Sequence, residues 1–150
     1  MRLTTFTDYC MRVLMYAAIR DGEDLVTIDD IADGYGISRN HLMKVVLRLS
    51  QLGYLQTIRG KGGGLRLGRP AASIRIGQLV RDTEEDFGLV ECFHREGRPC
   101  VVEPACLLND ALGEALDAFI GVLDRYTLAD LVAPRDRLAR LLSIPPATPG

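Results

Sequence analysis

Ser38-Arg39-Asn40-His41-Leu42-Met43-Lys44-Val45-Val46-Leu47-Arg48-Leu49-Ser50-Gln51-Leu52-Gly53 is the stretch on which the fold turns. Ser38 is a good N-cap, because its hydroxyl can accept from a free amide of the first helical turn. Leu42, Val45, Val46, Leu49 and Leu52 recur at the spacing of one buried helix face. Arg39, Asn40, Lys44, Arg48 and Gln51 fall mainly on the other side, and Gly53 is placed to close the helix in a left-handed cap. A helix with an apolar back and a cationic, amide-bearing front suits the major groove of double-stranded DNA.

The flanking residues complete the motif. Upstream, Thr27-Ile28-Asp29-Asp30 spells a capping box opening a short helix, with Ile28, Ile31 and Ala32 on one side. Gly34 and Gly36 are expected to break it, and Ile37 to pin the turn into the core. Downstream, Leu55–Ile58 and Leu65–Leu67 are short strands around Arg59-Gly60-Lys61-Gly62-Gly63-Gly64, a cationic glycine-rich tip. Two short helices followed by such a hairpin define a winged helix-turn-helix. The expected fold class is therefore mainly α with a small β wing. A first helix is expected from Thr5, with Asp8 three residues on as in a capping box, to about Arg20. It buries Cys10, Val13, Leu14, Ala17 and Ala18.

Charge points the same way. The net charge of −2 is poor for a DNA binder, but it divides unevenly. Residues 1–37 carry −4, residues 38–75 carry +8 with no carboxylate at all, and residues 76–150 carry −6. An acid-free block in a chain with 20 acids is a concentrated positive surface, which gains from releasing condensed counterions on phosphate. An ordinary solvated face would mix both signs. Within the block, Arg39 and Asn40 are the expected base readers, since Arg pairs bidentately with guanine and Asn with adenine. His41 stands beside them at the helix start. Lys44 and Arg48 are phosphate contacts, and Arg59 and Lys61 reach the backbone or minor groove from the wing.

The second half carries a further expected helix at about Ile74–Glu84 and an irregular loop over 86–106. A long helix follows, from about Leu107 to Tyr126, and then a last helical turn at Thr127–Val132. Leu108, Leu112, Ala115, Leu116, Phe119, Val122 and Leu123 lie on the apolar side of the long helix. At 1.5 Å per residue it is roughly 30 Å long, more than a small winged domain needs, so a second copy is its natural partner. Packing across its own domain is the alternative. The end of the chain, Ile144 to Gly150, reads as a frayed tail.

Cys92, Cys100 and Cys106 are spaced C-x7-C-x5-C in the loop, beside Gly97, Pro99 and Pro104. The N-terminus has no secretion signal, and no apolar run reaches the ~18 residues of a membrane span, so a cytoplasmic location with no membrane partner is expected. In that compartment thiols stay reduced, and clustered cysteines suggest metal or redox chemistry before disulfides. Three thiolates are one ligand short of a tetrahedral zinc site or a four-iron cluster. His94 would favour zinc as the fourth ligand, whereas Asp8, Glu91, Glu96 or Glu103 could offer oxygen. Cys10 sits on an apolar helix face and reads as packing. Nothing spells a nucleotide loop: no Gly-Lys-Ser/Thr follows the glycines, and no GxGxxG opens a helix. A cysteine-dependent redox enzyme lacks Cys-x-x-Cys and any recognisable triad.

Met1-Arg2-Leu3-Thr4 with Thr7-Asp8-Tyr9, Leu49-x-x-Leu52-Gly53-Tyr54-Leu55, Arg59-Gly60-x-Gly62-Gly63-Gly64, the cysteine loop and Thr127-Leu128-Ala129-Asp130-Leu131 together resemble the iron–sulfur winged-helix regulators typified by NsrR and IscR. The resemblance covers roughly residues 1–132. It implies a dimeric, DNA-binding repressor with a palindromic operator, the long helix as dimer interface and an iron–sulfur cluster in the loop, four-iron rather than two-iron. Asn109 stands where the IscR-like pattern has a ligand histidine, which favours the NsrR-like branch that senses nitric oxide. That branch implies a fourth ligand at Asp8, contributed across the dimer. A regulator of the same fold answering to cluster supply or thiol oxidation stays open beside it. On this basis the chain divides into a winged helix-turn-helix domain over 1–75, a cluster loop and dimerisation helix over 76–132, and a C-terminal extension over 133–150.

Overall fold

The computed structural model describes residues 2–22, 25–93 and 100–145. Helix α1 (Thr5–Ile19) runs through the centre, with Cys10, Val13 and Leu14 fully buried. Its cap is one residue earlier than the sequence suggests. Thr4 Oγ1 accepts from the Thr7 amide at 3.2 Å, and the carboxylate of distant Glu84 accepts from the Thr4 amide at 2.7 Å. Asp8 therefore has no capping-box role; it pairs with Arg12 one turn on, at 2.9 Å.

Helix α2 (Ile28–Tyr35) opens with the expected capping box of Thr27 and Asp30. Gly34 does not break it but lies inside, because a β-carbon there would stand 2.9 Å from Cε2 of Tyr16. Helix α3 (Arg39–Gln51) is capped by Ser38 and buries Leu42, Val45, Val46 and Leu49. Strands β1 (Leu55–Ile58) and β2 (Gly64–Leu67) pair antiparallel, with Leu55 opposite Leu67 and Thr57 opposite Leu65. Val26 and Leu65 exchange two backbone bonds of 3.0 and 2.7 Å, which tie the wing to the segment before α2. At the wing tip Gly60 (φ 99°) and Gly62 (φ 75°) take left-handed backbone that side-chain-bearing residues avoid.

Helix α4 (Ile76–Thr83) starts two residues after Ile74. Ile74 is held extended because its carbonyl accepts from the Leu128 amide at 2.8 Å, and the Ile76 amide donates to the Tyr126 carbonyl at 3.0 Å. Short 3-10 turns at Glu91–Phe93 and Glu103–Ala105 flank the cysteine segment. Helix α5 (Leu107–Asp124) follows, then α6 (Leu128–Leu131), with a second capping box from Thr127 and Asp130, and α7 (Arg135–Leu141). The sequence gives no warning of α7. Ile144 is not part of a loose tail either: it is buried in the same core as α1, α4 and Leu128. The divisions at 75/76 and 132/133 thus do not separate independent cores, since Ile76, Leu79, Leu128 and Ile144 belong to one cluster. Residues 146–150, the rest of the expected tail, lie outside the described residues.

The joint between α4 and α5 is polar and tight. Arg81 grips Asp124 with two bonds of 2.7 and 2.6 Å, and Arg75 donates to the Asp124 carbonyl at 2.9 Å. The guanidinium of Arg81 holds the Asp124 carboxyl below its usual range. A depressed folded-state pKa stabilises above the unfolded value, and that contribution is lost as pH falls through the folded one. The joint should therefore loosen only in acid. Gly77 makes the approach possible: a β-carbon there would stand 2.1 Å from Asp124 Oδ1 and 2.9 Å from the Asp124 amide. Gly77→Ala is expected to cost about 1–3 kcal/mol by overpacking, although alanine is the better helix former. Gly121→Ala, whose methyl meets nothing within 4 Å, should leave stability unchanged or raise it. Denaturant melts of the two variants check the contrast.

Candidate nucleic-acid interface and cysteine segment

Helix α3 projects its polar front because its back is filled. Asn40, Lys44, Leu47 and Gln51 share the outward ridge, with Met43 on one flank and His41 and Arg48 on the other; all are exposed. Not every cation points freely. Arg39 forms an ion pair with Asp29 of α2. An exposed pair of this kind is worth about 0–1 kcal/mol, so it yields readily to a phosphate or base. One Arg48 nitrogen lies 3.5 Å from the carbonyl of Asp82, which draws its guanidinium toward α4. The His41 ring sits 6.1 Å from that of Tyr9.

The wing root is held from behind. Arg69 stacks on the Tyr54 ring at 3.9 Å, and the buried Tyr54 hydroxyl donates to Asp82 at 2.6 Å. Burial, reinforced by that bond to a carboxylate, pushes the Tyr54 phenol far up, so it stays a donor. Lys44, Arg59 and Lys61 have no hydrogen-bond or ion-pair partner among the described residues. Of the eight cations in the basic block, these three have no such contact to give up. Lys61→Ala is expected to weaken binding to all duplexes about equally and to lower the salt slope by about 1, as read by fluorescence anisotropy across a salt series. Sequence reasoning considered the charged and amide side chains of α3 and did not consider Met43 and Leu47, which are exposed beside them. The signal was there, since both fall outside the apolar spacing of Leu42, Val45, Val46 and Leu49.

The four cysteines separate into two kinds. Cys10 is sealed in the core, where burial pushes its thiol up to about 12. Cys92 and Cys100 are exposed and Cys106 is half-buried. The Cys92 thiol lies 3.8 Å from Oδ1 of Asn109, in the first turn of α5, while Cys106 is the N-cap of that same helix. No side chain caps α5, so its first amides remain open toward the cysteines. Asn109, which stands where the IscR-like pattern has its histidine, is thus a neighbour of Cys92. Glu91 and Glu103 are exposed on the flanking 3-10 turns. His94 and Glu96, the other candidate ligands, lie outside the described residues. Among the described residues no three His, Cys, Asp or Glu side chains converge on one point.

A reading front on α3, a cationic wing and a cysteine segment at the foot of a long helix now stand together in one chain. The model of the Rrf2 family, described as iron-dependent transcriptional regulators, matches residues 3–134. The chain belongs to the Rrf2 family. Among Rrf2 proteins it is 50% identical over 143 residues to the HTH-type transcriptional regulator NsrR of Bacillus licheniformis, covering 95% of this chain and 100% of that one. It is 51% identical over 144 residues to NsrR of Bacillus subtilis, covering 96% and 99%. IscR of T. potens shares the fold, with a TM-score of 0.72 at 23% identity over 89% of this chain and 88% of that one. This Rrf2 protein is a transcriptional regulator of the NsrR type, not an enzyme. Among its described residues no helix is long and apolar enough to cross a membrane.

Proposed function

We propose that this regulator is a homodimeric repressor that holds an iron–sulfur cluster, four-iron rather than two-iron, on Cys92, Cys100 and Cys106, and that nitric oxide acting there releases a palindromic operator. The observation that carries the reading is the placement of the thiols. Cys92 and Cys100 are exposed and Cys106 is half-buried; Cys92 lies against Asn109 in the first turn of α5 and Cys106 is that helix's N-cap, whereas Cys10 is sealed away. Soft thiolates suit iron and sulfide, and the open amides of a helix N-terminus favour the negative charge such a set carries. The donor set therefore fits the group. The fourth ligand is Asp8 of the partner subunit. Asp8 has no capping duty to keep it in place, only a half-exposed pair with Arg12.

When bound, the cluster supplies iron that nitric oxide attacks. The chain's own residues then decide what a change at the loop can move. Cys106 sets the start of α5, and Asp124 at its far end is clamped to Arg81 on α4. Thr83 of α4 accepts from the Thr7 hydroxyl at 3.0 Å, and Glu84 caps α1 through Thr4. Helix α1 in turn packs on α3. A shift at the cysteine end of α5 is thus relayed through rigid elements to the reading helix. Two such helices must sit one DNA turn apart, or a multiple of it, to engage a palindrome. The test is anaerobic purification with iron and acid-labile sulfide analysis, followed by operator gel shifts during nitric oxide titration. Brown protein that loses its operator on titration is expected; colourless protein holding zinc, or binding that ignores nitric oxide, overturns the reading.

A further inference from the structure

The outward ridge of α3 is not purely polar. Met43 is 50% exposed and Leu47 62% exposed, and both stand within the acid-free cationic block. Neither belongs to the buried face of this helix, which is made by the inward positions Leu42, Val45, Val46 and Leu49. Lys44 stands beside Leu47 on the same ridge, and Arg48 and Arg39 flank the same surface, so what approaches this face is polyanionic. The major groove of double-stranded DNA presents a single apolar group, the C5-methyl of thymine. Met43 and Leu47 lie four residues apart, about 6 Å along the helix axis. Two base-pair steps rise about 7 Å. Arg39 and Asn40 supply hydrogen-bond reading at the start of the helix, and the apolar pair supplies a second channel of discrimination.

We propose that Met43 and Leu47 are specificity-determining residues, which read two thymine methyl groups about two base pairs apart in each operator half-site. The inference rests on α3 being the reading helix. It does not depend on the cysteine chemistry or on the signal.

The test uses full-length protein, purified anaerobically, and duplexes it selects from a random pool. Each thymine of the selected half-site is replaced in turn by deoxyuridine, which removes the methyl and keeps every hydrogen-bonding group. Affinity is expected to fall about fourfold at two positions per half-site, the worth of one buried methyl, and to be unchanged elsewhere. Met43→Ala should abolish the penalty at one position and Leu47→Ala at the other. Both side chains are exposed, so the variants keep the parent's melting temperature and its salt slope on unrelated DNA. A wild type indifferent to deoxyuridine at every thymine overturns the proposal, as does a penalty undiminished in the double variant. Failure of α3 as the reading helix would look different: Lys44→Ala and Asn40→Ala would then bind selected and unrelated DNA just as the parent does.

Discussion

Cys100→Ser is expected to give protein that purifies without stoichiometric iron or sulfide and whose operator affinity changes less than twofold on nitric oxide titration. Cys100 is exposed on the segment between the two 3-10 turns, and its carbonyl accepts from the Glu103 amide at 3.0 Å. Its backbone thus shapes the segment whatever side chain it carries. Serine preserves that shape and removes only the soft ligand, so the variant should fold and melt like the parent. With one thiolate gone, two remain, too few to hold a cluster that normally takes about four protein ligands. Cys10→Ala is the matched control. It removes a fully buried sulfur and should cost up to a few kcal/mol of stability while leaving iron, sulfide and the nitric oxide response intact. Asp8→Ala falls between them, keeping three thiolates and losing one hard ligand. If Cys100→Ser retains a full complement of iron, the ligand assignment is wrong; if Cys10→Ala loses it, the division of the cysteines into two kinds is wrong.

Leu108→Asp combined with Leu112→Asp is expected to convert the protein to monomers and to lower affinity for a two-half-site operator by about 10²–10⁴-fold, the loss of effective concentration when linked sites separate. The structure makes these the right positions. Helix α5 spends its buried face on its own domain through Ile120, and Leu123 packs against the core beside it. About a quarter-turn away the same apolar side runs on through Phe119, Ala115, Leu112 and Leu108, half-covered at Phe119 and Leu112 and open toward the start of the helix, where Leu108 is 63% exposed. Burying a leucine stabilises by about 1.5–3 kcal/mol, and a two-fold interface counts each residue twice. Aspartates there would instead bury unpaired charge. Leu116 is a poorer choice, because it lines a cleft of about 390 Å³ with Phe87 and Phe119 and so also serves its own chain. Sedimentation and binding to single half-sites separate the outcomes. A dimer that persists in the double variant places the interface elsewhere, whereas monomers that still bind half-sites show that the reading head is intact.

Local chemistry made most of the framework legible. The helical turn expected after Thr127 formed with a capping box of its own from Asp130, and the capping box of Thr27 with Asp30 was written in four residues and formed as expected. So did α3, whose N-cap, apolar period and closing glycine agree, and the hairpin, whose strands shifted by a single residue at Gly64. The acid-free block and the C-x7-C-x5-C spacing likewise needed no coordinates. What failed were readings that depend on partners far along the chain. The start of α1 belongs to Thr4 because Glu84, 80 residues away, accepts its amide, and Asp8 was thereby released to Arg12.

The sequence by itself determined the winged helix-turn-helix, the cationic face and the spacing of the cysteine segment, because each is encoded in one contiguous stretch of chain. Only the tertiary structure decided which of those residues are already spoken for. Arg39 is paired to Asp29, Arg48 is drawn toward Asp82, and Ile144 is pulled into the core. Gly77 is small because Asp124 must pass within bonding reach of Arg81. On α5, one apolar stripe was divided between an inner face that folds the chain and an outer face left open. Such choices depend on distances between elements that the chain brings together only on folding, and no local pattern carries them.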